Sequence, residues 1–296
     1  MTENYVYLGV TVTNDMDFTT HISQLYHKLD LQRREAAVIG VGGAGVPFDR
    51  ANRLWQVYVE PKFSYACGVW MHESNTKAHA LVNNVQRKGA RLLLGISDID
   101  QANTEPPPCA ALIEANLKPA HVLRIMGLLR FWRIALSRDE SSILRQVWEV
   151  VESHAPITDM HSLNGEIHRL QQKYNDQIGD TVPNPKCKKE WKKLVDDISK
   201  HELHAWYKEQ IRAAGRASAY AAIRHELVGK TPEYLTHIAL SKHERRNIAV
   251  MRTQCAAYVA AHAQHRETPL FGQHESYVQH YCQCKSCTSR TTDSTA

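Results

Sequence analysis

The sequence predicts a mostly α protein with a short extended segment at its start and a polar, Cys-rich tail. Three observations lead there. Apolar residues recur at helical spacing along most of the chain. The one run rich in β-branched and aromatic residues is Tyr5-Val6-Tyr7-Leu8-Gly9-Val10-Thr11-Val12-Thr13. After Thr268 the apolar periodicity is lost.

Of the 296 residues, 43% are hydrophobic and 23% charged, which excludes a wholly disordered chain. No stretch approaches the roughly eighteen apolar residues of a membrane span, so no membrane partner is expected. Met1-Thr2-Glu3-Asn4 has neither the basic nor the apolar region of a secretory signal. Seven cysteines is an odd number, and Cys67, Cys109, Cys187 and Cys255 are widely scattered. That pattern fits free thiols in an intracellular compartment, without separating nucleus from cytoplasm. The formal net charge is +5, which permits a polyanionic partner without demanding one. The basic excess lies late in the chain: residues 1–30 carry a net −3, residues 201–296 a net +4.

Element by element, Tyr5–Thr13 reads as one strand closed by Asn14-Asp15, with no partner downstream. Phe18, Ile22, Leu25 and Leu29 then share one helical face. Gly40 to Pro47 ends that helix. A second helix over about 49–60 is bent or stopped by Pro61. A third runs from Thr76 to Leu94. Its apolar side is Ala78, Leu81, Val82, Val85, Leu92 and Leu93, and Gly95 stands at the C-cap. Its polar side carries Asn83, Asn84, Gln86, Arg87, Lys88 and Arg91. Helical stretches follow at 109–116 and 120–152, with Gly127 and Ser137–Ser141 as candidate breaks. Further helices are expected at 165–178, 187–214, 216–228 and 241–264. These group into a helical region over 1–152, a second over 153–267, and a disordered Cys-rich tail over 268–296.

Several motifs bear on chemistry. Gly40-Val41-Gly42-Gly43-Ala44-Gly45 has the spacing of a dinucleotide fingerprint, but Pro47 interrupts the helix that should open after it, and no alternation of strands and helices follows. A helix–helix connection explains it as well. Asp196-Asp197 resembles the paired carboxylates that hold two metals in polymerases. Trp191, Leu194, Val195 and Ile198 put that pair on a helix instead of a hairpin. Lys186, Lys188, Lys189, Lys192 and Lys193 crowd eight residues with only Glu190 opposing. Such a run attracts a nucleic-acid backbone, although a solvated helix face is its commoner meaning. Arg87, Lys88 and Arg91 form a similar basic group. Finally, His280, Cys282, Cys284 and Cys287 are candidate zinc ligands. C-x-C-x-x-C is an unusual structural site, and Cys284-x-x-Cys287 alone is half of a zinc knuckle.

Several segments together resemble the C-terminal part of reverse transcriptases of non-LTR (LINE-type) retrotransposons. Tyr7-Leu8-Gly9-Val10 followed by Thr20-His21-Ile22 is similar to the stretch that begins at the primer grip. Leu54-Trp55-Gln56-Val57-Tyr58-Val59-Glu60-Pro61 and Tyr65-Ala66-Cys67-Gly68-Val69-Trp70 resemble the thumb. Val85 to Gly95 is close to a helix of the same region, and Leu240 to Arg246 with Met251-Arg252-Thr253 resembles the segment before the terminal zinc knuckle. The resemblance covers residues 5–287, loosely over 100–235.

What the resemblance implies is partial. The region over 1–152 would be a primer-grip remnant and a thumb-like helical bundle, and that over 153–267 a helical linker. The palm with its catalytic Asp residues and the trailing His and Cys of the knuckle are not in this sequence, as expected of a decayed or interrupted element. An unpartnered strand at Tyr5–Thr13 would then be a remnant of the palm sheet. No polymerisation is expected from the chain alone, and Mg2+ would enter only with a palm. The implied partners are an RNA or DNA template–primer duplex, held through phosphates, and the missing palm region of the same element. Zinc would belong to the Cys-rich tail. A stand-alone helical interaction module, a nucleotide-dependent enzyme built on Gly40–Gly45, and a pseudogene product without selected function remain the alternatives.

Overall fold

A computed structural model describes residues 4–7, 9–13, 18–38, 46–72, 74–96, 108–154, 163–175, 184–213 and 229–253. The glycine run 40–45, the helices expected at 216–228 and beyond 253, and the tail lie outside the described residues.

The chain opens with a hairpin. Strands β1 (Asn4–Tyr7) and β2 (Val10–Thr13) pair antiparallel with Tyr7 opposite Val10. The segment expected to be one lone strand therefore supplies its own partner. The two-residue loop needs a positive φ, and Gly9 provides it at +85°.

Twelve helices follow among the described residues. They are α1 (Thr19–Val38), α2 (Phe48–Leu54), α3 (Glu60–Ser64), α4 (Cys67–Trp70), α5 (Thr76–Leu94), α6 (Pro108–Glu114), α7 (Ala120–Ser137), α8 (Ile143–His154), α9 (Leu163–Lys173), α10 (Lys188–Ala213), α11 (Glu233–Thr236) and α12 (Lys242–Thr253). Between α2 and α3 the helix widens into a π-turn, Trp55–Val59. Pro61 has no N–H to give to the carbonyl four residues back, and its ring crowds that carbonyl. The wider turn lets the helix pass through the proline instead of stopping there.

The ends of α5 follow local chemistry. The Ala78 N–H donates to Asn75 Oδ1 at 3.1 Å, an N-cap. At the other end Gly95 has φ +70°, and the Ile96 N–H reaches back to the Arg91 carbonyl at 2.9 Å. Asn116, at φ +53°, closes α6 the same way: the Leu117 N–H donates to the Leu112 carbonyl at 2.8 Å. Ser241 and Glu244 form a capping box at the start of α12, through reciprocal bonds of 2.7 and 3.3 Å.

The chain divides into two compact units, each assembled from three segments. The first is Met1–Leu31, Val59–Asn84 and Pro119–Glu202. The second is Gln32–Tyr58, Val85–Lys118 and Leu203–Ala296. The sequence boundary at 152/153 falls inside α8, within the first unit.

In the first unit α7 is the central helix, in contact with α3, α4, α8 and α9. It is apolar around most of its circumference, with Val122, Leu123, Ile125, Met126, Leu128, Leu129 and Trp132 all buried. Gly127, expected as a break, lies inside it. A Cβ there would sit 2.5 Å from Cys67 Sγ, so the glycine admits α4. The helix breaks where expected after Ser137. The buried Arg124 guanidinium pairs with Glu166, whose carboxylate also meets His72 Nε2 at 3.0 Å.

In the second unit Trp55 is fully buried and lies directly on Gly89. Its indole N–H donates to Gln86 Oε1 at 2.8 Å, and the Gln86 amide donates to the Lys118 carbonyl at 3.2 Å. Arg252 of α12 donates to the buried Glu114 carboxylate of α6 at 2.7 Å, its guanidinium 5.6 Å from the centre of the Tyr234 ring.

Candidate nucleic-acid interface

The lysine run marks the start of α10. Trp191, Leu194, Val195 and Ile198 face the core of the first unit and fix the helix's rotation. Trp191 meets Trp132 edge-on at 5.2 Å. With that face buried, Lys186, Lys188, Lys189, Lys192 and Lys193 are all exposed. Asp196 and Asp197 lie on the same helix, as the helical spacing predicts, and are half-buried, with Asp197 Oδ1 3.8 Å from Lys200 Nζ.

Two arginines that the sequence did not single out join this surface. Arg130 and Arg133 are one turn apart on α7. Together with Lys188 and Lys192 they line a cleft of about 260 Å³ in the first unit. Trp191 and Val195 supply its apolar part, and Asp196 is its single acid. Arg133 is anchored by a long hydrogen bond, 3.5 Å, from Nη1 to the Pro185 carbonyl. No signal in one chain could have found Arg130 and Arg133, which lie more than fifty residues before the lysines on a helix of otherwise apolar pattern.

Two features bear on the charge of this cleft. Some cations of this unit find acids: Arg124 with Glu166, Lys173 with Glu202, Arg145 with Glu149. Among the described residues, Arg130, Arg133, Lys188 and Lys192 form no ion pair. Lys188 and Lys189 also occupy the first turn of α10, where the helix dipole favours acids and each misplaced charge costs about 0.3–1 kcal/mol. An anion bound here would relieve that cost.

The other basic group is less available than expected. Arg87 and Lys88 are half-buried residues of the second unit, and Arg91 is only 5% exposed. The correction has a physical cause. Near its C-terminal end α5 is covered on more than its apolar stripe: Gln86, Gly89, Ala90, Arg91, Leu93 and Leu94 are all buried. A guanidinium enclosed in this way does not reach a polyanion. The candidate zinc ligands His280, Cys282, Cys284 and Cys287 lie outside the described residues. Among the described residues no three His, Cys, Asp or Glu side chains are placed to hold a metal ion.

His121 and Cys67, away from this surface, have strongly shifted pKa values. Burial pulls His121 down to about 4, although the nearby Glu202 carboxylate acts the other way. Burial pushes the Cys67 thiol up to about 11. Cys67 is buried and His121 half-buried in the first unit, and neither lines the cleft.

Comparisons of the chain with protein-family models, with curated proteins and with solved structures gave no match in any of the three.

Proposed function

We propose that the chain is a helical nucleic-acid-binding fragment, related to the C-terminal part of a non-LTR reverse transcriptase, that holds a template–primer duplex through its phosphates without sequence preference. The observation that carries this reading is the unpaired lysine-rich start of α10, kept in place at a cost to the helix. The ordered resemblance of the thumb-like segments supports it from the sequence side. Lys186, Lys188, Lys189, Lys192 and Lys193 would displace counterions from the backbone, with Arg87 and Lys88 as a second, weaker group. Polymerisation needs paired palm carboxylates, and Asp196-Asp197 on a helix is no substitute. Primer extension with Mg2+ is therefore expected to give no product from this chain alone.

The test is fluorescence anisotropy with a labelled duplex across a salt series. The expected result is binding whose logarithm falls linearly with log salt, with a slope of about −3 to −4 for four phosphate contacts. Charge reversal at Lys188, Lys189, Lys192 and Lys193 should abolish it. Binding unchanged by that reversal would end the reading.

A second reading, a helical interaction module, is favoured by one feature. Ile143, Val147 and Val150 of α8 are 78%, 52% and 56% exposed at i, i+4 and i+7, an apolar stripe facing water. A partner captured through α8, with flat and weak nucleic-acid binding, would favour it over the first.

A further inference from the structure

We propose that Arg130 and Arg133 join Lys188 and Lys192 in one phosphate-binding cleft, which grips a nucleic-acid backbone by charge and reads no base. This rests on the nucleic-acid reading above and adds two residues and a mode of recognition to it.

Four cations from two helices converge on one concavity, and none forms an ion pair among the described residues. Asp196 opposes them and leaves the lining with three net positive charges. The arginines bring what lysines lack. A planar guanidinium can present two parallel N–H donors to a phosphate, and its charge is permanent. The bond from Arg133 to the Pro185 carbonyl uses one N–H and orients the rest. At about 260 Å³ the cleft falls below the roughly 300–1,000 Å³ of pockets that enclose whole small molecules, which points to a phosphate with part of its sugar and away from an entire nucleotide. Base recognition in single strands usually needs an exposed aromatic face. The aromatic here, Trp191, is 1% exposed and occupied edge-on by Trp132, so it offers none.

The experiment uses the full chain and fluorescein-labelled 20-base-pair duplexes of homopolymeric and mixed sequence, read by anisotropy from 50 to 300 mM salt. Variants are Arg130→Gln, Arg130→Gln/Arg133→Gln, Lys188→Gln/Lys192→Gln and Arg130→Lys, each with circular dichroism. Arg130 is exposed, so its single substitutions leave the fold unburdened even if the double variant is damaged. The arginine pair is expected to matter as much as the lysine pair: affinity about tenfold lower at 50 mM salt, and a salt slope shallower by about 1. Arg130→Lys should recover part of the affinity.

Three results would overturn the proposal while leaving the broader reading intact. The arginine variants could bind as wild type while the lysine variant weakens. A homopolymer preference above about tenfold, lost in the arginine variants, would mean that bases are read. Adenosine monophosphate competing as well as the 20-mer would mean a mononucleotide site. If the wild type itself shows no salt-dependent binding, the nucleic-acid reading fails, and this inference with it.

Discussion

Gly89 lies in the middle of α5, a place where alanine would ordinarily stabilise a helix by about 0.5–1 kcal/mol. The structure predicts the opposite sign. A Cβ at position 89 would lie 2.1, 2.4 and 2.6 Å from Cζ2, Cη2 and Cε2 of Trp55. Those atoms belong to a rigid ring that is itself 0% exposed, so the ring must move by more than an ångström or the helix must. Overpacking of this kind costs about 1–3 kcal/mol. A shifted indole also gives up its bond to Gln86 Oε1, a buried acceptor whose loss costs about 1–3 kcal/mol. Set against the helix-propensity gain, Gly89→Ala should destabilise by about 2–4 kcal/mol, lowering Tm by about 3–6 °C for a chain of this size. Urea and thermal unfolding followed by circular dichroism measure it. In a Trp55→Phe background the clashing ring is gone, and the same alanine should become neutral or mildly stabilising. A higher Tm for Gly89→Ala alone would refute the reasoning.

Acid should weaken the fold through His121. Its folded pKa of about 4 lies below the ordinary 6.5, so the unfolded chain takes the proton first. The stability is full above pH 6.5 and is lost as pH falls toward 4, by at most about 3 kcal/mol. Urea midpoints at pH 7.5 and 4.5 should converge in His121→Gln relative to wild type. Glu114→Gln should cost about 3–5 kcal/mol, because it leaves the Arg252 guanidinium buried without its carboxylate. Faster amide exchange over Lys242–Thr253 would register it locally. Cys67, buried and with its thiol pushed up to about 11, should stay unmodified at pH 8 under a thiol reagent that labels the half-buried Cys187. Peptide mapping separates the two.

Legibility in the sequence followed the range of the forces involved. α5 could be read because its cap, its apolar spacing and Gly95 all lie within twenty residues. The hairpin could not, because Gly9 sits amid β-formers and only its φ shows the reversal. Pro61 reads as a stop in isolation, whereas a π-turn upstream absorbs it. Arg91 and Gln86 look like surface residues by type. They are buried because tertiary partners accommodate them, as the Trp55 indole and the Lys118 carbonyl do for Gln86. For the cleft, sequence found Lys188 and Lys192 through local charge density and missed Arg130 and Arg133, which only folding brings to the same place.

The interleaving of the two units bears on how the chain is made. A nascent chain of 118 residues already contains two of the three segments of each unit, and completes neither. The central helix α7 follows only at Ala120, so the apolar faces of α3 and α4 must wait for it while synthesis continues. The first unit becomes closable at Glu202, and the second only after Arg252 has been added opposite a Glu114 made 138 residues earlier. Contacts of such long sequence separation form slowly and leave apolar surface uncovered in the interval. Ribosome-bound chains halted before Pro119 should therefore be protease-sensitive throughout and bind chaperones of the holding type, whereas chains halted beyond Glu202 should yield a protected first unit.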